Sequence, residues 1–106
     1  MNKEFLFELE YKIKDLFGYA VKKIILFGSY ARGENTPSSD IDVLVIVEDL
    51  DLSSYRQLRG DIILYFLNKY RLLISIRIEN ENRFEEYKDA LPFFKNVLKD
   101  GIVLYG

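Results

Sequence analysis

Cysteine and histidine are both missing from the 106 residues. Their absence excludes a cysteine or histidine nucleophile, a disulfide framework and the usual zinc sites, and leaves oxygen ligands as the means of holding a metal. Basic charge is not in excess either. The chain has 15 Lys and Arg against 17 Asp and Glu, a net charge of −2, which argues against broad binding to nucleic acid while allowing a local basic patch. No uninterrupted apolar run approaches the ~20 residues that a membrane span needs. Charged residues begin at Lys3 and Glu4, so no membrane segment is expected and the expected location is cytoplasmic. Repeats, low-complexity stretches and linkers are lacking too. At this length there is room for one core and none for a second lobe, so residues 1–106 are expected to form one domain.

What is present is a globular composition, 49% hydrophobic and 30% charged, and one unusual stretch. In IILFGSYARGENTPSSDIDVLVIV, residues 24–47, Gly28-Ser29 is followed after ten residues by Asp40-Ile41-Asp42. The apolar, β-branched runs on either side read as buried strands, with the polar loop hung between them. Side chains alternate along a strand, which puts Asp40 and Asp42 on one face with Cα atoms roughly 7 Å apart and turns Ile41 into the core. Two carboxylates in that position need a cation or donors opposite them. Hard oxygen ligands suit Mg²⁺, which shares its shell with substrate phosphates. Gly28 lets a phosphate approach the backbone, and Ser29 can cap the turn Tyr30-Ala31-Arg32 and offer its hydroxyl. Arg32 adds a fixed positive charge, and Gly33 fits the end of the turn.

Taken together, GSYARGENTPSSDIDVLV resembles the signature of the nucleotidyltransferase (polymerase β-like) superfamily, most of all its minimal nucleotidyltransferase (MNT) branch. The resemblance is sharp over residues 24–47 and looser elsewhere. It implies an α/β (α+β) fold with a small mixed sheet flanked by helices. It also implies transfer of a nucleoside monophosphate from a nucleoside triphosphate, most naturally ATP, to a hydroxyl. Asp40 and Asp42 would be the catalytic, metal-holding acids for Mg²⁺ or Mn²⁺, and Gly28, Ser29 and Arg32 would bind the nucleotide. Such proteins commonly work beside a small helical HEPN-type protein as the antitoxin of a toxin–antitoxin pair. The rival reading is a binding module, an antitoxin or assembly subunit with little or no catalysis that acts by occupying its partner.

Along the rest of the chain, residues 3–18 carry Leu6, Leu9, Ile13, Leu16 and Phe17 at helical spacing. Strands are expected at 21–27 and 40–47, the second apolar on both parities beyond Asp42 and so covered on both sides. Ser53 or Ser54 can cap a helix running to about Lys69, with Leu58, Ile62, Tyr65 and Phe66 inward. Within it Gly60 is read as a close-packing point, while Arg56 and Arg59 fit a solvated face. A third strand is expected at 72–78, turning Ile74, Ile76 and Ile78 inward and Ser75, Arg77 and Glu79 to the other face. Short helices follow at 83–89 and 93–99, with Gly101 at C′ and an apolar end, 102–105, as an edge strand or docking tail. The crowding of Phe93, Phe94, Val97, Ile102, Leu104 and Tyr105 predicts surface left over for a partner or a second copy.

Active members of the family usually carry a third acid on the next strand. Here Ser75 occupies that position, and Glu79 lies roughly 13 Å further along a strand, too far to replace it. The reading therefore expects nucleotide binding with slow or partner-dependent transfer.

Overall fold

The computed structural model describes residues 4–106; Lys3, placed on the first helix by its pattern, lies outside them. In chain order the elements are α1 (Glu4–Phe17), a 3₁₀ turn (Gly18–Ala20), β1 (Val21–Phe27), α2 (Gly28–Arg32) and β2 (Ile41–Val47). They continue with α3 (Tyr55–Tyr70), β3 (Ile74–Asn80), α4 (Glu81–Tyr87), α5 (Pro92–Asp100) and β4 (Ile102–Tyr105). The strands form one sheet in the order β3-β2-β1-β4. β1 runs antiparallel to both β2 and β4, and β2 parallel to β3, so the sheet is mixed. A parallel pair needs a crossover, and α3 supplies it.

Strand β2 is buried on both faces, as its double-parity apolar run requires. Ile41, Val43, Val45 and Val47 join Leu9, Ile13, Ile62 and Phe66 under α1 and α3. Leu44 and Ile46 join Ile25, Phe84, Phe94 and Val97 under α4 and α5. Each fully buried aliphatic side chain contributes about 1.5–3 kcal/mol, and β2 alone places six hydrophobic residues at 2% exposure or less. The strand that carries Asp42 is therefore anchored from both sides.

Several local expectations need correction. α1 buries Phe5, Leu9, Ile13 and Phe17, leaving Leu16 39% exposed. The third strand runs 74–80: the Leu72 N–H closes α3 onto the Phe66 carbonyl, and the Leu73 carbonyl, just ahead of the strand, accepts from Ile41 of β2. Ser54 stands at the start of α3 without a side-chain cap, since the Asp51 carboxylate takes the Ser53 N–H and makes the turn. Gly60 meets nothing within 4 Å of where a Cβ would lie, so it marks open space and not close packing. Gly101 closes α5 with extended backbone; glycine is required there because a Cβ would overlap the Val97 carbonyl and Ile25. Phe94 and Val97 belong to the core, so of the C-terminal apolar cluster Ile102 and Tyr105 present substantial open surface, beside the exposed Leu98 and Val103.

α1 and α3 are clamped together at Glu8. Its carboxylate accepts hydrogen bonds from the Tyr65 and Tyr70 hydroxyls and from Lys69 Nζ at 3.1 Å. Those tyrosine hydrogen bonds, with Lys69 behind them, hold the Glu8 carboxyl down at about 2 against an ordinary 4.5. A depressed carboxylate stabilises the fold above its unfolded pKa and loses that contribution as pH falls through its folded one. Stability should accordingly decline between about pH 4.5 and pH 2, and Glu8→Gln should flatten that limb in an acid titration followed by circular dichroism. At neutral pH Glu8→Ala should lower Tm by roughly 4–8 °C, the shift that about 1 kcal/mol produces in a domain of this size. An unchanged Tm would show the clamp to be ornamental.

Candidate active site

The antiparallel register of β1 and β2 ends on the pair Phe27↔Asp42. The chain leaves β1 at Phe27 and enters α2 through Gly28, whose φ of +76° is a conformation that side chains disfavour. A Cβ on Gly28 would stand 3.1 Å from Asp42 Cγ and closer still to Oδ2. Glycine is thus required twice over, by its backbone angle and by the carboxylate that lies against its Cα.

Asp40 is one residue short of β2 and exposed, not on the strand as its spacing suggested. The chain becomes regular at Ile41, whose N–H donates to the Leu73 carbonyl at 2.9 Å and whose side chain is completely buried, as expected. Asp42 is half-buried at the strand's first turnout. Burial first, then repulsion from Asp40, pushes the Asp42 carboxyl above its usual range, while Arg32 pulls it the other way. Among the described residues neither aspartate makes an ion pair or a carboxylate hydrogen bond. Arg32 Nε instead pairs with Glu34 at 2.7 Å in an exposed contact.

Ser29 lies inside α2 and does not cap it; Phe27 holds the cap position with no side-chain bond. The carbonyl of Ser29 accepts from Gly33 and, at 2.9 Å, from Glu34, and Gly33 ends the turn at φ 71° as its position predicts. The Ser29 hydroxyl has no partner among the described residues. On the other side of β2 the parallel register sets Ser75 directly beside Asp42, with Ser75 exposed. Glu79, four residues on, is not free for this site. Its side chain is 9% exposed and holds Arg77 at 3.0 Å and Arg83 at 3.3 Å. Parity set it on the face opposite Ile74, Ile76 and Ile78, and there Arg83 of α4 meets it.

Residues that strand reasoning had not singled out for the site also border it. Asn96 and Asp100 of α5, with Phe27 and Phe93, line a cleft of about 230 Å³ beside Gly28 and Arg32. Nothing in the local pattern of α5 announces this, because the adjacency is set by sheet order and not by sequence separation. No group of three or more acids gathers as a metal cage among the described residues. The donors at hand are two carboxylates whose mutual repulsion a divalent cation relieves, one of them seated where a Cβ is excluded. They fit a Mg²⁺ or Mn²⁺ ion that takes its remaining ligands from water and phosphate.

A nucleotidyltransferase domain model matches residues 7–105. The chain belongs to this family. This nucleotidyltransferase is 43% identical over 93 residues to a Methanocaldococcus jannaschii protein described as a candidate protein adenylyltransferase, covering 88% of this chain and 87% of that one. A second candidate protein adenylyltransferase of the same organism is 37% identical over 108 residues, covering 99% and 72%. In fold, the nucleotidyltransferase is similar to a chain of a crystal structure of a toxin–antitoxin with AMP-PNP, at TM-score 0.65, 22% identity and coverage of 100% of this chain and 74% of that one. It is also similar to a chain of the Shewanella oneidensis tri-AMPylated HEPN toxin in complex with its MNT antitoxin, at TM-score 0.50, 18% identity and coverage of 92% and 72%. The mixed sheet flanked by helices is the expected nucleotidyltransferase fold, and the resemblance to minimal nucleotidyltransferases is borne out. No helix among the described residues is long and apolar enough to cross a membrane.

Proposed function

We propose that this nucleotidyltransferase moves AMP from ATP to a hydroxyl on a partner protein. The observation that carries the reading is the Asp42 carboxylate resting on the Cα of Gly28, with Asp40 beside it and both acids unpartnered among the described residues. The reading is supported by the candidate protein adenylyltransferases among its relatives.

Asp40 and Asp42 would hold Mg²⁺ or Mn²⁺. When bound, the ion neutralises triphosphate charge and makes an acceptor hydroxyl easier to deprotonate. The chain's own residues do the rest. Gly28 and Ser29 seat the β- and γ-phosphates against the α2 turn, and Arg32, released from its exposed pair with Glu34, adds positive charge. The acceptor oxygen bonds to the α-phosphorus as the bond to the bridging oxygen breaks; pyrophosphate leaves and the hydroxyl proton passes to solvent. The acceptor we infer is a small helical HEPN-type partner, in keeping with the fold shared with chains of toxin–antitoxin complexes.

One observation favours a second reading, a nucleotide-binding antitoxin with weak or no catalysis. Ser75, beside Asp42 in the register, brings no charge where a third acid would support the hydroxyl. Titration calorimetry separates the site from both readings. ATP should bind at least tenfold more weakly without Mg²⁺ or Mn²⁺, because its charges face two carboxylates unscreened, and Asp42→Asn should remove most of that metal dependence. Equal binding with and without metal would place the nucleotide elsewhere. Labelled transfer from ATP then decides between enzyme and module.

A further inference from the structure

Phosphoryl transfer proceeds with the entering and leaving oxygens roughly in line. Under the reading just given, on which this inference rests, the leaving pyrophosphate lies at Gly28 and Ser29, at the end of β1. The attacking hydroxyl must then enter from the opposite side of Asp42, which is the side of β3. The sheet order β3-β2-β1 makes that side unambiguous.

The side chains that meet it there are Ser75 and, next on the same face, Arg77. Arg77 sits across from Leu44 in the parallel register, one alternation beyond the Asp42↔Ser75 pair. Its guanidinium lies 4.1 Å from the centre of the Phe93 ring and pairs with Glu79 at 3.0 Å, so it is held in place from two directions. Arg83 reaches the other oxygen of the same carboxylate at 3.3 Å. Both arginine side chains are about half exposed, at 49% and 50%, while that of Glu79 is 9% exposed. One buried carboxylate thus anchors two cations. The cluster keeps one net positive charge and turns two guanidinium edges to solvent, on a chain whose total charge is −2. Of the acids of α4, Glu85 is occupied by Lys88 at 2.7 Å, and Glu81 and Glu86 form no ion pair with either arginine among the described residues.

We propose that the acceptor hydroxyl is borne on an acidic peptide segment whose carboxylates dock on Arg77 and Arg83. Guanidinium groups held by packing and a buried acid suit bidentate capture of a carboxylate, because their forks are already oriented. Capture also solves a local problem: an acidic segment would otherwise be repelled by Asp40 and Asp42. A protein acceptor is favoured over nucleic acid because the chain as a whole is acidic, with a net charge of −2.

The test uses the full chain with labelled ATP and Mg²⁺ against three tyrosine peptides identical except for flanks of Asp and Glu, Asn and Gln, or Lys and Arg, with a single-stranded RNA as a fourth acceptor. The acidic peptide should be labelled with a kcat/KM roughly five- to tenfold above the neutral one, and the basic peptide least. Arg77→Gln should erase most of that preference by raising the acceptor KM while leaving the KM for ATP unchanged. Arg83 keeps Glu79 paired in that variant, and Arg83→Gln, on the exposed side of α4, gives the same reading should Arg77→Gln fold poorly. A merely structural role for either arginine would move Tm and both KM values together, which would overturn the proposal. Transfer with no charge preference, or a preference that survives both substitutions, overturns this inference alone, as does RNA labelled faster than every peptide. No transfer to any acceptor, with ATP still bound, overturns the transferase reading and this inference with it.

Discussion

Alanine at position 28 is expected to cut adenylyl transfer by roughly two to three orders of magnitude, since misplacing a reacting group by about 1 Å already costs about 10²-fold. Two effects act at that residue. The backbone holds φ at +76°, which disfavours any Cβ by about 1–2 kcal/mol. The added methyl would also overlap the Asp42 carboxylate, so either α2 or Asp42 has to move. Gly33→Ala separates the two. Gly33 has almost the same backbone angle, φ 71°, and nothing within 4 Å of its hypothetical Cβ. It should therefore lose a similar amount of stability while keeping transfer within about threefold. Steady-state transfer of labelled AMP, with Tm measured on both variants, makes the comparison. Equal losses of transfer at the two glycines would mean that backbone strain, and not displacement of Asp42, governs the rate.

Ser75→Asp is expected to act in the other direction, raising transfer by roughly 10- to 10³-fold, one ligand's share of the ~10²- to 10⁴-fold that activation of a hydroxyl supplies. The position is open to solvent and sits beside Asp42 in the parallel register, so a carboxylate can be added without burying it. It would give the acceptor side the acid that the chain lacks there. Nucleotide affinity should change little, because Gly28 and Ser29, which the proposed function gives to the triphosphate, lie on the β1 side of Asp42 and Ser75 on the β3 side. Ser75→Asn provides the control of similar shape and no charge, and should give no gain. Fast transfer by the natural protein that Ser75→Asp leaves alone or lowers would remove Ser75 from the account, and would show that the hydroxyl is activated without a third acid on β3.

How far the sequence alone could lead is clearest at β2. A strand apolar on both parities has to be central, and two aspartates at its mouth, ten residues after Gly-Ser, have to face something charged. The central place of β2 and its cover on both faces follow from that pattern, and Ser75 falls beside Asp42 where the family resemblance put the third-acid position, while the order of the other strands came only with the structure. Periodicity could not see what depended on distant chain. Parity set Glu79 on the face away from Ile74, Ile76 and Ile78 but could not show that it is buried and paired with Arg77 and with Arg83 of α4. Gly101 looked like a left-handed helix stop, yet its glycine is demanded by a carbonyl of α5 and a side chain of β1. Asp40 shows the limit at short range: one residue of irregular backbone before Ile41 was enough to take it off the strand. Ser29 and Ser54 failed as caps for a similar reason, since helix starts can be closed by backbone and by neighbouring side chains in ways that residue type does not announce.

The hairpin of β1 and β2 carries both aspartates, Gly28 and Ser29 within one contiguous piece of chain, whereas Ser75 and Arg77 reach the same place only after the α3 crossover. The two halves of the site therefore have different folding histories. Closing the short loop between β1 and β2 has a modest entropic cost, while pairing β3 in parallel requires the whole intervening helix to be ordered first. The phosphate side can thus form as a local unit, with the acceptor side arriving late. On the same grounds β3, an edge strand joined to the sheet along one side only, can open without dismantling the turn at Gly28. A partner that pairs with or clamps β3 would thereby control whether a bound nucleotide has anything to react with, without touching the nucleotide itself.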